Sequence, residues 1–168
     1  MFCTYRSALI AAGLLATAAA AEPAAAAATI GTCSPTRVKF LASDVAFFTT
    51  SSTTFVNVGQ GAVNFTQGGT QPSCVIVSLS ANSFAVGHSP STPAPLTVRI
   101  MMDGTTPALP NEVDFSDGND TGNQVRSFDF IFPSVAPGEH TIRVQIKTTS
   151  DSLSADLNRH NIVVQFAP

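Results

Sequence analysis

The segment VRSFDFIFPSVAPGEHTIRVQIK, residues 125–147, decides the fold class of this chain. In FDFIF (128–132) and again in IRVQI (142–146), apolar side chains recur at every second position. A period of two is typical of strands that bury one face and leave the other in water. Between the two runs, Pro137 and Gly138 favour a turn, because proline fixes φ and glycine accepts a positive φ. The segment therefore predicts two strands joined by a turn.

Similar short apolar runs recur along the rest of the chain, separated by clusters of Gly, Pro and polar residues. They are VKFLA (38–42), VAFFTT (45–50), TFVNV (54–58), AVNFT (62–66), CVIVSLSA (74–81), NSFAVG (82–87), LTVRIMMDG (96–104) and NIVVQF (161–166). Runs of this length and spacing predict an all-β protein. We expect a single antiparallel β-sandwich domain over residues 33–168, jelly-roll-like, with about eight to ten strands.

Two segments depart from clean alternation. VIVSL (75–79) is apolar on both faces, which favours a central strand of a sheet. SDSLSADLNRH (150–160) is predicted to be either a short helix or a polar loop. No sustained helical period occurs elsewhere after the N-terminal region.

Residues 1–21 have the three parts of a secretory signal peptide. Arg6 supplies the positive n-region, residues 8–15 the apolar h-region, and a run of alanines the cleavage site, which could extend as late as residue 28. The Ala-rich segment 22–32 is expected to be a flexible N-terminus. We therefore expect an exported protein of the periplasm, the cell surface or the extracellular space.

The charge balance argues against nucleic acid as a partner. The full chain has 8 Lys and Arg against 11 Asp and Glu, and loss of Arg6 with the signal peptide leaves 7 − 11 = −4. A mildly acidic chain has no electrostatic attraction for nucleic acid or for an anionic membrane surface. The apolar run before the cleavage site is also too short for a membrane span, and none is expected in the mature chain.

The cysteines predict one disulfide. Cys3 leaves with the signal peptide, so Cys33 and Cys74 are the pair that remains. In an oxidising compartment two such cysteines most often bond to each other. A redox or metal role would favour a CxxC spacing, which this chain lacks.

His140 is predicted to have a structural role. It lies two residues before Ile142, so a period of two places it on the buried face near the mouth of the strand. We expect a half-buried histidine bonded to a loop carbonyl. A functional histidine needs a carboxylate, a cysteine or a second histidine nearby. Glu139 points to the opposite face, and the sequence brings neither His88 nor His160 close.

The acidic segment VDFSDGNDTGN (113–123) carries the chain's one metal hypothesis. Asp117, Asn119 and Thr121 fall at positions 1, 3 and 5 of a calcium-loop pattern, with Gly122 at position 6. The pattern then fails, because position 12 is Phe128 where a bidentate Glu should stand. A solvated loop between strands is therefore predicted. In the alternative, a calcium site would draw its ligands from Asp114, Asp117, Asn119, Asp120 and Thr121.

Catalysis has no motif to support it. The chain contains neither GxSxG nor HExxH, and no cysteine is left free for a Cys–His pair. A glycoside hydrolase remains an alternative, because its paired carboxylates are brought together by the fold and not by spacing in sequence. The candidate acids lie in predicted loops: Asp103, Glu112, Asp114, Asp117 and Asp120.

The later segments resemble a type of small secreted bacterial β-sandwich protein of uncharacterised function. In these proteins a strand ending in a DG turn precedes a PG-x-H-T strand start, as at Asp103-Gly104 and at residues 137–141 here. A weaker similarity is to galactose-binding-like jelly rolls, whose closing strands follow a G-x-H-T-I-x-V pattern. That resemblance implies sugar binding, but this chain has no Trp, and its single Tyr lies in the signal peptide. Chaperone–usher pilins share export and an early cysteine pair, but the penultimate Tyr typical of them is missing here.

These observations predict an exported, non-catalytic β-sandwich that acts by binding or by building a surface. No cofactor is expected. A glycan, a protein or a second copy of the chain could be the partner. The alternatives are a secreted glycoside-type hydrolase that uses dispersed loop carboxylates, and a carbohydrate-binding module. In each case the loops between strands are the expected contact surfaces, since rigid sandwiches present ligands from them.

Overall fold

The computed structural model describes residues 33–44, 48–87, 94–117, 122–149 and 152–168, and in these residues the protein is all-β. Ten strands occur in chain order. They are β1 (Arg37–Ala42), β2 (Phe48–Thr50), β3 (Val56–Gln67), β4 (Ser73–Gly87), β5 (Leu96–Met102), β6 (Thr106–Pro107), β7 (Val113–Ser116), β8 (Gln124–Val135), β9 (Gly138–Lys147) and β10 (Ser152–Phe166). The predicted signal peptide and the Ala-rich segment 22–32 lie outside the described residues.

The strands form two antiparallel sheets that pack face to face. The first sheet has the order β1-β10-β4-β8, with β2 also paired to β10. The second has the order β3-β9-β5-β6, with β7 also paired to β5. Without the short β2 and β6, the orders are β1-β10-β4-β8 and β3-β9-β5-β7, which is the strand order of a jelly roll. The predicted fold class is confirmed.

Alternation explains the core between the sheets. On β9, Ile142, Val144 and Ile146 have no exposed surface, as their period of two predicts. On β8, Phe130 and Phe132 are buried on the corresponding inner face of the first sheet. The turn at Pro137-Gly138 therefore carries the chain from one sheet to the other, and it does not join two paired strands.

The central-strand prediction for VIVSL is confirmed. It forms part of β4, which is hydrogen-bonded to β10 on one side and to β8 on the other. Val75, Val77 and Leu79 point into the core and have no exposed surface, while Ile76 and Ser78 are half-buried on the outer face. The runs CVIVSLSA and NSFAVG are one continuous strand.

The prediction of a short helix or polar loop over residues 150–160 is wrong. Residues 152–160 are the first part of β10, which pairs with β4 and β2. Ala155 and Leu157 are buried, and Asp156 between them is half-buried. The segment has few apolar residues, and Ser, Asp and Asn make up most of the rest. The period of two of its apolar residues is therefore hard to detect in the sequence.

Two irregularities in the ladders face each other across the sandwich. In β3 the register shifts between Asn57 and Ala62, and in β10 it shifts between Asn158 and Asn161. The irregular stretches are linked by His160, which is 2% exposed and whose Nε2 lies 3.1 Å from the carbonyl oxygen of Gln60. This contact is a structural one, inside the sandwich.

A disulfide joins Cys33 to Cys74, with the two Cα atoms 5.6 Å apart. It ties the segment before the edge strand β1 to the beginning of the central strand β4. The pairing is the one that the cysteine count predicts. Among the described residues no helix is long and apolar enough to cross a membrane.

Candidate functional site

The hairpin between β5 and β6 is built on Asp103 and Gly104. Their φ angles are 51° and 75°, and the amide of Thr105 donates to the carbonyl of Met102 at 3.1 Å. Positive φ at both central residues is the geometry of a type I′ turn, for which Asp-Gly is a preferred sequence. The turn therefore holds the Asp103 side chain at one end of the second sheet.

The Asp103 carboxylate fastens this hairpin to the start of β9. Its Oδ2 lies 2.7 Å from Nδ1 of His140, and its Oδ1 accepts the amide hydrogen of Thr141 at 2.8 Å. The amide of Asp103 in turn donates to the carbonyl of Thr141 at 2.9 Å. Both carboxylate oxygens are thus engaged within the fold.

His140 is held from both of its ring nitrogens. Nδ1 faces the Asp103 carboxylate, and Nε2 lies 2.9 Å from the carbonyl oxygen of Ala136. Since both neighbours are acceptors, both nitrogens must carry a hydrogen for both bonds to form, and the imidazolium satisfies this arrangement.

Burial and hydrogen bonding act in opposite directions on this pair. For Asp103, burial raises the pKa, but the hydrogen bonds from His140 and Thr141 and the charge of His140 outweigh it, so the pKa is lowered. For His140, burial lowers the pKa, but the bonds to Asp103 and Ala136 and the charge of Asp103 outweigh it, so the pKa is raised. Both shifts favour the charged forms of the two groups.

The position of His140 is the one that the sequence pattern predicts, but its carboxylate partner was not predicted. The imidazole lies at the strand mouth, 14% exposed, and contacts a loop carbonyl as expected. The expectation that no carboxylate is close was wrong, because the hairpin brings Asp103 across from 37 positions away. The Asp-Gly turn at the end of LTVRIMMDG was the only sequence signal for this contact.

His140 lines two open depressions at this end of the sandwich. One, of about 450 Å³, is polar and is lined by Lys39, Asn64 and Glu139 among others. The other, of about 410 Å³, is more apolar and lies between the β5–β6 hairpin and the end of β8, beside Leu109 and Phe132. Neither ring nitrogen of His140 is free to contact a ligand in these depressions, because both are hydrogen-bonded within the fold.

The outer face of the second sheet carries a second polar arrangement. In one row across the strands, Arg99 on β5 lies opposite Gln145 on β9, which lies opposite Asn57 on β3. Arg99 Nε donates to Gln145 Oε1 at 2.7 Å, and Gln145 Nε2 donates to Asn57 Oδ1 at 2.8 Å. The three side chains are therefore aligned by their own hydrogen bonds.

Two more cations lie on the same face of β9, on either side of that row. They are Arg143 and Lys147, since residues two apart on a strand share a face. Arg99, Arg143 and Lys147, together with Asn57 and Gln145, are called the cationic face below. The Phe55 ring lies at its border, with the Arg99 guanidinium 3.9 Å and the Lys147 ammonium 4.5 Å from the ring centroid. Such distances are within the range of cation–π attraction.

The first sheet has a different outer face. Val38 and Phe40 on β1 are 63% and 72% exposed, and Ile131 on β8 is 41% exposed. The register places Phe40 opposite Val163, and Ile131 opposite Ile76. The outer face of the first sheet thus exposes several apolar side chains, whereas that of the second carries mostly polar and charged ones.

Two of the loop carboxylates considered for hydrolysis, Asp103 and Asp114, lie far apart in the structure. Asp114 pairs with Thr97 near the start of β5, and its Oδ1 accepts the Thr97 hydroxyl at 3.0 Å. Asp103 follows the last residue of β5, six positions after Thr97. At about 3.3 Å a residue, the two backbones are separated by roughly 20 Å along the strand. They do not face each other across one pocket.

The calcium hypothesis falls mainly on residues that the structure does not describe. Asn119, Asp120 and Thr121 lie outside the described residues, while Asp114 and Asp117 lie within them. In the described part of the chain, no three His, Cys, Asp or Glu residues cluster closely enough to hold a metal ion. The expectation of a solvated loop therefore stays a prediction.

No protein-family model matches the sequence, and no curated protein matches it. Solved structures do match. The VP2 subviral particle of infectious bursal disease virus superposes with a TM-score of 0.52 at 12% identity, over 78% of this chain and 33% of the viral chain. The Gt strain of the same virus gives 0.52 at 14%, over 82% and 34%. The chain thus spans about a third of the length of these viral chains, and the likeness shows the β-sandwich fold alone.

A carbohydrate-binding module of the CBM35 type from Cellvibrio japonicus Abf62 also aligns. It covers 79% of this chain and 99% of its own, at 13% identity. Its TM-score is 0.35, a superposition too loose to support an argument about this chain.

Proposed function

We propose that this protein is an exported, non-catalytic module that binds a glycan on the outer face of its second sheet. The observation that carries the proposal is the row Asn57–Gln145–Arg99, whose side chains are already aligned by hydrogen bonds of 2.7 Å and 2.8 Å. Amide and guanidinium groups pair readily with sugar hydroxyls, and a surface ordered before binding loses less side-chain entropy on binding.

Phe55 adds an apolar group at the border of this surface. Sugars combine hydroxyl edges with apolar ring faces, and an aromatic side chain beside polar groups suits both. Arg99 and Lys147 hold the Phe55 ring by contact with its π-system. This ring takes the place that Trp or Tyr would otherwise fill.

Two observations support the exported location. The Cys33–Cys74 disulfide is stable in oxidising compartments and is rare in the cytosol. The sequence also begins with the three parts of a signal peptide.

The geometry of His140 supports a non-catalytic role. A general base needs a ring nitrogen free to take a proton from its reactant. Here Nε2 bonds to the Ala136 carbonyl and Nδ1 to Asp103. The separation of Asp103 from Asp114 likewise leaves the hydrolase alternative without a carboxylate pair from these two residues.

Affinity electrophoresis of residues 22–168 through gels containing single polysaccharides tests the proposal. We expect slower migration in at least one gel, with no release of reducing ends from that polysaccharide. Gln145→Ala removes the centre of the row and is expected to restore most of the mobility. Gln165→Ala is the matched control, because Gln165 lies on the outer face of the other sheet.

Unchanged mobility in neutral and acidic polysaccharides alike would contradict glycan binding. Release of reducing ends would instead favour the hydrolase alternative. Equal effects of the two glutamine variants would place any binding elsewhere on the molecule.

A further inference from the structure

Three of the seven basic residues that follow the predicted signal peptide lie on the outer face of the second sheet. They belong to the cationic face: Arg99, Arg143 and Lys147. The register places Met101 opposite Arg143 and Thr97 opposite Lys147. No acidic residue lies opposite either arginine in the described ladders of the second sheet. Glu112 and Asp114 lie at the Lys147 end of this face, and Glu139 lies four residues from Arg143 on the same face of β9. The part around Arg99 and Arg143 is therefore the one expected to attract an anionic ligand.

Arg143 is the most available of the three cations. It is exposed, and it lies between Ala62 on β3 and Met101 on β5. In the part of the chain that the structure describes, no hydrogen bond or ion pair engages its guanidinium. Because these neighbours are small or apolar, the guanidinium group of Arg143 remains accessible to a ligand on the solvent side of the sheet.

Lys147 shows that this face accepts a carboxylate. Its ammonium lies 2.9 Å and 3.2 Å from the two carboxylate oxygens of Glu112, which precedes β7. The Glu112 side chain is 49% exposed, so it contacts Lys147 from the solvent-exposed edge of the cationic face. A ligand carboxylate would compete with Glu112 for the same ammonium.

The spacing of the cations suits a linear polymer. Arg143 and Arg99 are diagonal neighbours on adjacent strands, as are Arg99 and Lys147, and such neighbours lie about 7–8 Å apart. Arg143 and Lys147 are four residues apart on β9, or roughly 13 Å. Charges that recur at these distances match several groups along one chain better than a single small anion.

We infer that the cationic face binds a carboxylate-bearing polysaccharide, a polymer of uronic acids, with Arg143 as its principal carboxylate contact. The inference rests on the proposed glycan binding and names its substrate class. Carboxylate is favoured because the guanidinium fork binds it through two parallel hydrogen bonds. Nucleic acid is disfavoured because three cations make a small basic surface.

Polygalacturonate and its fully methyl-esterified form are the decisive probes, since they share a backbone and differ in charge. We expect residues 22–168 to bind the acid form and to bind the ester at least roughly fivefold more weakly. Added sodium chloride is expected to weaken binding to the acid form, because these exposed charges are screened by salt.

Arg143→Gln is expected to raise the dissociation constant for polygalacturonate roughly fivefold to tenfold. Arg37→Gln removes the same charge from β1 of the other sheet and is expected to leave binding unchanged.

Glu112→Gln gives the opposite test. It frees Lys147 from its internal carboxylate and is expected to tighten binding to polygalacturonate severalfold. Asp129→Asn removes an equal charge from the outer face of the first sheet and serves as its control. Circular dichroism and thermal melting of each variant test whether the fold is retained.

Equal binding of the acid and ester forms, with loss on Gln145→Ala, would overturn the uronic acid inference and leave the glycan proposal standing. Absence of binding to either form and to neutral polysaccharides would overturn both. Stronger, Arg143-dependent binding of single-stranded DNA would reassign the cationic face to nucleic acid. Equal effects of Arg143→Gln and Arg37→Gln would show that only net charge matters and would also overturn the inference.

Discussion

The protonation of His140 is governed by its two hydrogen-bond acceptors. Because its pKa is raised, the stability that it contributes is complete below the ordinary value of 6.5 and is lost as pH rises through the raised pKa. The pKa of Asp103 is lowered, so its contribution is present above 3.8 and is lost as pH falls through the lowered pKa. The pair therefore stabilises the fold most between pH 3.8 and 6.5.

Asp103→Asn isolates the charge of this pair, because Asn also suits the positive φ of the I′ turn. We expect the free energy of unfolding to fall by about 0.5–1 kcal/mol at pH 5.5 and by less at pH 8.5, since the Asp103 side chain is half-exposed. Urea denaturation at the two pH values measures this. Asp129→Asn is the control, and an equal loss for Asp103→Asn at both pH values would contradict the assignment.

Side-chain positions were predictable from the sequence, but contacts across the fold were not. A period of two placed His140 on the inner face at the strand mouth, because side-chain direction is a local property of a strand. Its contact with Asp103 depends on the pairing of β5 with β9, which is set by tertiary packing. The same limit applies to the row formed by Asn57, Gln145 and Arg99, which combines three strands.

The first half of β10 is a strand that its sequence pattern does not predict. This half, SLSADLN (152–158), has a period of two, but none of its apolar residues is β-branched or aromatic. Polar Ser, Asp and Asn side chains have a low preference for strands. Pairing with both β4 and β2 overrides that preference. The strands rich in Val, Ile and Phe, in contrast, were predictable, because local preference and burial agree there.

Leu157→Ala tests the strand assignment of this segment. Leu157 is 1% exposed in the core, and its truncation is expected to lower the free energy of unfolding by about 2–5 kcal/mol. Ser154→Ala, at a half-buried position of the same strand, is expected to change it by less than about 1 kcal/mol. The urea midpoints of the two variants give the comparison. A small loss for Leu157→Ala would favour the polar loop that the sequence alone suggested.

At the scale of the whole molecule, the disulfide links an exposed edge to the core. β1 is exposed along most of its length, whereas β4 lies in the middle of the first sheet. Holding Cys33 at the start of β4 keeps the N-terminal end of the domain close to the sheet. The bond closes a loop with a sequence separation of 41 residues.

Replacement of both cysteines, Cys33→Ala with Cys74→Ala, is expected to lower the free energy of unfolding by about 3–4 kcal/mol, because a loop of this length is released in the unfolded chain. Thermal melting of the double variant beside the parent protein measures the loss. Thiol titration of the denatured, unreduced parent is expected to find no free thiol in residues 22–168. Two free thiols there would contradict the pairing.

The pairing of β1 with β10 has a consequence for the order in which the protein can form. β10 is the last of the ten described strands to be synthesised, yet it lies between β4 and the edge strands β1 and β2. Until residues 152–166 leave the ribosome, the first sheet lacks the strand that joins its two halves. Pairings between distant parts of a chain close slowly, since loop entropy is lost before the contacts form. The first sheet of an unfinished chain therefore stays open, and completion of the sandwich waits for β10.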